Sequence, residues 1–208
     1  MDYYPIPKGN SGMEKTFGDF ITNFPPDHDS LELSFTPTSE RIRHLWRNQR
    51  LSAHFIADYF VNFLPLDKDD PVEERRIKEA KGAISYVANE LLENAMKFNL
   101  EDADCKVRFG IHFLDGSDII AVMFATNSIN RFGAEKFQQF IQELLESDPE
   151  EFYIRQVEAS AEDPDTKISG LGFLTMINDY QAKLGWQFEP VAPDSEISIV
   201  TAMVQIAL

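Results

Sequence analysis

Glu90, Asn94 and Lys97 fall within one run, Glu90-Leu-Leu-Glu-Asn-Ala-Met-Lys-Phe-Asn99, in a segment of helical period. Residues three and four apart on a helix are neighbours, so a base, an amide oxygen and a cation converge on one face. A magnesium-bound triphosphate and the hydroxyl group attacking it require such a set. About seventy-five residues after Asn94, Ser169-Gly-Leu-Gly-Phe173 leads into an apolar helix. Helix-entry phosphate sites are built this way, from free amides and the helix dipole. In this order the two runs suggest a nucleotide fold.

The elements that must position these residues can be read from the hydrophobic period and its punctuation. Residues 1–30 hold Pro5, Pro7, Pro25 and Pro26 and are expected to form an irregular extension. Leu31-Glu-Leu-Ser-Phe35 alternates as a short strand. Thr38 or Ser39 can cap a long helix that Pro65 ends, so that residues 31–66 form an added strand and helix. Asp69-Asp-Pro-Val-Glu-Glu opens a second helix running to about Asn99, with Ile84, Ala88, Leu91, Ala95 and Phe98 on its buried stripe. Residues 105–114 and 118–126 read as a hairpin around Asp115-Gly-Ser. A helix is expected over residues 133–146, a strand over 152–157, a helix over 171–184 stopped by Gly185, and two closing strands over 186–190 and 196–207. The expected class is α+β, a two-layer sandwich with a mixed, mostly antiparallel sheet and helices on one face. Residues 31–208 would form a single domain.

Composition restricts the partners. Formal net charge is −16, with a sequence pI near 4.5, a field that repels nucleic acid and anionic lipid. No apolar stretch approaches bilayer length, and the amino terminus carries no basic-then-apolar leader. Cys105 is the one cysteine, so no internal disulfide forms and a reducing, cytoplasmic setting is expected.

Residues 89–98 resemble the N-box of the GHKL (Bergerat-fold) ATPase and kinase superfamily, and Lys167-Ile-Ser-Gly-Leu-Gly-Phe-Leu174 resembles its second glycine box. The order of helix, hairpin, lid, glycine box, helix and hairpin is similar too, over residues 70–208. The added strand and helix look more like the SiaB-type protein kinases, relatives of anti-sigma-factor kinases. The resemblance implies ATP and Mg2+ as cofactors. It makes Asn94 the magnesium ligand, Glu90 the general base toward a protein serine or threonine, and Lys97, Gly170 and Gly172 the phosphate contacts. It also implies a partner-switching regulator whose partner is a small STAS-type protein. The chain departs from the family at the first glycine box, Asp-x-Gly-x-Gly, where Phe124-Ala-Thr-Asn-Ser-Ile-Asn130 stands instead. Thr126 takes the place of the adenine-gripping aspartate, Asn127 offers a further polar group, and Ser128 and Asn130 replace the glycines. The rival reading is therefore a non-catalytic protein-binding module of the same fold that has lost its nucleotide.

Each signal has a plainer reading. A Glu-Asn-Lys helical face is often only solvated surface, and short glycine turns are common packing devices. Cys105 reads as a small core residue, and His28, His44, His54 and His112 lack metal-ligand spacing. The helix with Arg41, Arg43, Arg47, Arg50 and Trp46 offers a strip for an acidic partner, for homodimerisation, or for the protein's own carboxylates. A stand-alone ATPase would carry a further transducer domain, and a histidine kinase a recognisable phospho-accepting histidine; neither is legible.

Overall fold

Proline, acid and cap fix where the main helix begins. Asp70 accepts a hydrogen bond from the Val72 amide at 2.8 Å, Pro71 takes the first turn, and Glu73 and Glu74 face the positive end of the helix dipole. The result is α1 (Pro71–Phe98), whose stripe of Ala80, Ile84, Val87, Ala88, Leu91, Leu92 and Ala95 is buried. The computed structural model describes residues 14–35, 55–59, 70–100, 105–114, 119–162, 170–192 and 194–208.

Six strands form one sheet: β1 (Lys15–Gly18), β2 (Ser30–Phe35), β3 (Val107–Leu114), β4 (Ile120–Asn130), β5 (Lys183–Pro190) and β6 (Ile197–Ala207). Their order is β1-β5-β6-β4-β3-β2, and each neighbouring pair is antiparallel. Helices α2 (Arg131–Glu146), α3 (Pro149–Glu162) and α4 (Leu171–Tyr180) follow α1. Strand alternation divides the sheet into two faces. On the inner face Phe109, Met123, Ala125, Trp186, Val200 and Val204 join α1 and α4 in one core. On the outer face Val122, Phe124 and Met203 pack under Phe20, Ile21 and Phe24. This is the expected α+β sandwich, with an antiparallel sheet.

Three expectations need correction. Residues 152–157 lie in α3, where Asp148 accepts from the Glu150 and Glu151 amides at 3.0 and 3.1 Å and Phe152 is buried against Phe140. Helix α4 ends at Tyr180, because Gln181 adopts a left-handed conformation (φ 50°) and Ala182 donates to Met176 O at 3.0 Å. The freed residues extend β5 back to Lys183. The second half of the amino-terminal extension is ordered: β1 pairs with β5 at one sheet edge, residues 19–29 cross the outer face, and β2 pairs with β3 at the other edge.

That crossing requires a glycine beneath it. A Cβ on Gly185 would meet the backbone of Asp19 and Phe20, which cannot swing aside as a side-chain end can. Gly185→Ala is expected to cost about 1–3 kcal/mol, the usual range for overpacking, read as a lower urea midpoint with an unchanged slope.

The predicted helix of residues 39–64, with its arginines, lies outside the described residues except for 55–59, which are helical. There Ile56 and Ala57 are buried in the core, and Asp58 pairs with Lys81 of α1. The predicted turn at 115–117 and the loop beyond Glu162 also lie outside them. Among the described residues no helix is long and apolar enough to cross a membrane.

Candidate functional site

Helix α1 presents Glu90, Asn94 and Lys97 to a cavity of about 290 Å³ between its carboxy-terminal half, the inner face of β4 and β6, and the start of α4. Gly170 and Gly172 line the opposite wall, and Asn127 stands on its floor among Ala125, Ile129 and Val200. The volume is close to the lower end for ligand pockets, about 300 Å³. The two distant sequence runs thus meet in space. Of the seven residues singled out from sequence, six border the cavity, Thr126 being the exception.

Glu90 is half-buried, and its carboxylate lies where a Cβ on Gly172 would stand, so any larger residue there would displace the Glu90 side chain. Burial raises the Glu90 carboxyl above its ordinary range, with Glu93 one turn away adding to the effect. Gly170 caps α4 in the left-handed region (φ 63°) and packs on Phe140, where a side chain would collide. It has no side-chain atom with which to cap its helix, leaving first-turn amides for an anion. Helix α2 also begins at the cavity, but Asn130 caps it by accepting from the Gly133 amide at 2.7 Å. Lys97 is exposed on the last turn of α1, with its Nζ 5.1 Å from the Phe98 ring centroid.

Thr126 belongs to the outer face, where its hydroxyl meets that of Thr201 at 3.0 Å. The period of two therefore puts the side chain next in sequence, Asn127, into the cavity. Asn127 is only 7% exposed, and its Nδ2 donates to Ser128 O at 3.0 Å. Since a carbonyl can only accept, that bond fixes which end of the amide is nitrogen. Oδ1, without a hydrogen bond among the described residues, is left to accept from a ligand N–H.

Ser128 and Asn130 have work within the fold. The Ser128 amide and hydroxyl both donate to Asn99 Oδ1, at 3.1 and 2.9 Å, and the Leu100 amide donates to Ser128 Oγ at 3.2 Å. These bonds tie the end of α1 to β4 beyond its register with β3. Sequence reading did not single out the apolar walls, Phe137, Phe173, Val200 and Ala202. Their only advance signal was strand and helix period, which marks core and cavity wall alike.

Chemically, the site offers an apolar floor with one acceptor at one end and an uncapped helix start at the other. Its carboxylates, Glu90 and Glu93, outnumber Lys97 among its charged residues. A polyphosphate would therefore need a divalent cation as companion. Among the described residues no group of three or more His, Cys, Asp or Glu could hold a metal ion by itself.

No protein-family model and no curated protein matches the sequence. Among solved structures, a chain of the crystal structure of the SiaB–SiaC complex from Pseudomonas aeruginosa is similar, with a TM-score of 0.52 at 15% identity. The likeness covers 85% of this chain and 89% of that one, and at this identity it is a likeness of fold.

Proposed function

We propose that this cavity binds magnesium-ATP and that the chain is a partner-switching regulator, a serine/threonine protein kinase acting on a small STAS-type protein. The observation that carries the reading is the meeting of Glu90 and Asn94 on α1 with Gly170 and Gly172 at the start of α4 around one cavity. Bound magnesium-ATP would supply the transferable phosphoryl group. Asn94 lends its amide oxygen to the magnesium, Lys97 lends positive charge, and the first amides of α4 receive phosphate oxygens. Asn127 Oδ1 accepts from an exocyclic amine at the apolar end. Glu90 orients the partner's hydroxyl and takes its proton, and a carboxyl raised by burial is the better base for that task. That the structural neighbour is itself a two-protein complex supports a protein partner.

A second reading has its own observation: the carboxylate of Glu90 rests against Gly172, where an incoming phosphate would approach α4. A module that binds its partner without nucleotide would keep that contact permanently. Isothermal titration with ATP and Mg2+ separates the two. The kinase reading expects saturable heat that is lost on chelating magnesium, and no heat at millimolar nucleotide removes it. Asn127→Leu is expected to weaken binding about tenfold, the value of one buried hydrogen bond, with the circular-dichroism spectrum unchanged.

A further inference from the structure

Residues 19–29 form a strap from β1 at one sheet edge to β2 at the other, across the outer face. The Asp19 amide donates to Leu184 O at 2.8 Å, Gln205 Nε2 donates to Asp19 O, and at the far end the Phe113 amide donates to Asp29 O at 2.9 Å. Between these ties Phe20, Ile21 and Phe24 cover Val122, Phe124 and Met203. Two histidines meet where the strap nears β2. His28 Nδ1 lies 2.5 Å from Pro25 O, and its Nε2 lies 2.5 Å from Nδ1 of His112 on β3. The His112 ring is stacked between Phe24, at 4.1 Å, and Phe124, at 5.5 Å.

The network assigns every hydrogen. Pro25 O can only accept, so His28 Nδ1 carries one. A neutral His28 then offers a lone pair at Nε2, and His112 Nδ1 must carry the other hydrogen. His112 Nε2 is left bare, with no hydrogen-bond partner among the described residues, on a residue 6% exposed. The nearest ion-pairing group, Glu32 Oε1, is 3.8 Å away and half-exposed. A neutral Nε2 has no hydrogen to give it.

The geometry points to a proton-controlled latch: the His28–His112 hydrogen bond fastens the strap over the apolar outer face, and His112, buried while the strap is down, takes up a proton when the strap lifts and so holds it open. Burial opposes charge on that ring and His28 opposes it further, so the His112 pKa falls from 6.5 to about 4. Releasing the strap returns the ring to water, where it takes a proton at its ordinary value. The folded value is the lower one, so the latch is firm above pH 6.5 and loosens as pH falls toward 4. The groups around the ring do not reverse this sign. From β2 there is Glu32, beyond hydrogen-bond reach; from the strap there are His28 and the flanking Asp27 and Asp29, both exposed. Arg108 shares the outer face of β3, and Val122, Phe124 and Met203 on β4 and β6 are uncharged.

Native-state hydrogen exchange on the full chain reads the latch directly. After correction for intrinsic rates, the opening constants of the Asp19 and Phe113 amides are expected to rise about thirtyfold from pH 7.5 to pH 5, while the core amides of α1 stay protected. His112→Phe, which keeps the stack and cannot titrate, should flatten that dependence. Equal opening at both pH values, a pH dependence unchanged in His112→Phe, or loss of α1 protection in step with the strap would each overturn the latch. If the variant does not fold, imidazole titration by heteronuclear NMR in the wild-type chain decides: a His112 midpoint well below 6 supports it, and one at 6.5 or above overturns it.

Discussion

Glu90→Gln is expected to leave magnesium-ATP binding within about threefold of the wild-type value and to slow phosphate transfer to a STAS-type partner by about a thousandfold, within the range for loss of a general base. Glutamine has nearly the shape of glutamate, so it still fits against Gly172, where the carboxylate rests. What it lacks is the ability to take a proton from the attacking hydroxyl. Binding and transfer therefore separate in this variant, measured by titration calorimetry and by transfer of labelled phosphate. Transfer at the wild-type rate would remove Glu90 from the mechanism and leave the binding-module reading in front. The pH profile adds a second check. Burial and Glu93 raise the Glu90 carboxyl, so its basic form is lost at a higher pH than for an ordinary glutamate, and the acid limb of the rate profile shifts upward. The same shift means that folding favours the neutral acid. At neutral pH the charged Glu90 then costs stability, and Glu90→Gln should fold at least as stably as the wild type.

The cavity was legible to the extent that its parts sit on regular elements. Glu90, Asn94 and Lys97 could be placed because α1 announces its start, with Asp70, Pro71 and paired acids, and keeps its period to Phe98. The same signal, Asp148-Pro149-Glu150-Glu151, opens α3, but Phe152 to Val157 is rich enough in aromatic and branched residues to read as a strand. There the cap, which forms two hydrogen bonds, outweighs side-chain preference. Thr126 falls outside the cavity for another reason. Matching letters to a motif placed polar contacts at both Thr126 and Asn127, whereas the pleat of β4 sends Thr126 outward to Thr201 and only Asn127 inward. A shift of one residue in a strand reverses the face. The strap was the least legible part. Its prolines and lack of period are those of a loose tail, and what orders it is distant in sequence: Gly185 beneath its backbone, Met203 and Phe124 beneath its side chains, and His112 at its clasp.

Trp186→Ala is expected to cost about 3–5 kcal/mol, the usual penalty for truncating a large aromatic in a core, seen as a fall in the urea midpoint. Trp186 is fully buried on β5, and its ring meets the edge of Phe173 at 5.5 Å. Phe173 in turn lines the cavity and holds the first turn of α4 in place. The gap left by alanine therefore opens directly behind the wall that carries Gly170 and Gly172. Nucleotide binding should weaken by more than the loss of folded protein explains, because the amides of α4 lose their backing. Trp186→Phe separates volume from polarity. The indole Nε1 is buried without a hydrogen-bond partner among the described residues, a state that costs about 1–3 kcal/mol. Phenylalanine removes that orphan donor while giving up part of the ring. The two effects oppose each other, so Trp186→Phe should stay within about 1.5 kcal/mol of wild type, the usual limit for a tolerated hydrophobic exchange. A Phe variant as unstable as the Ala variant would mean that the indole N–H has a partner and that Trp186 anchors α4 through polarity as well as bulk.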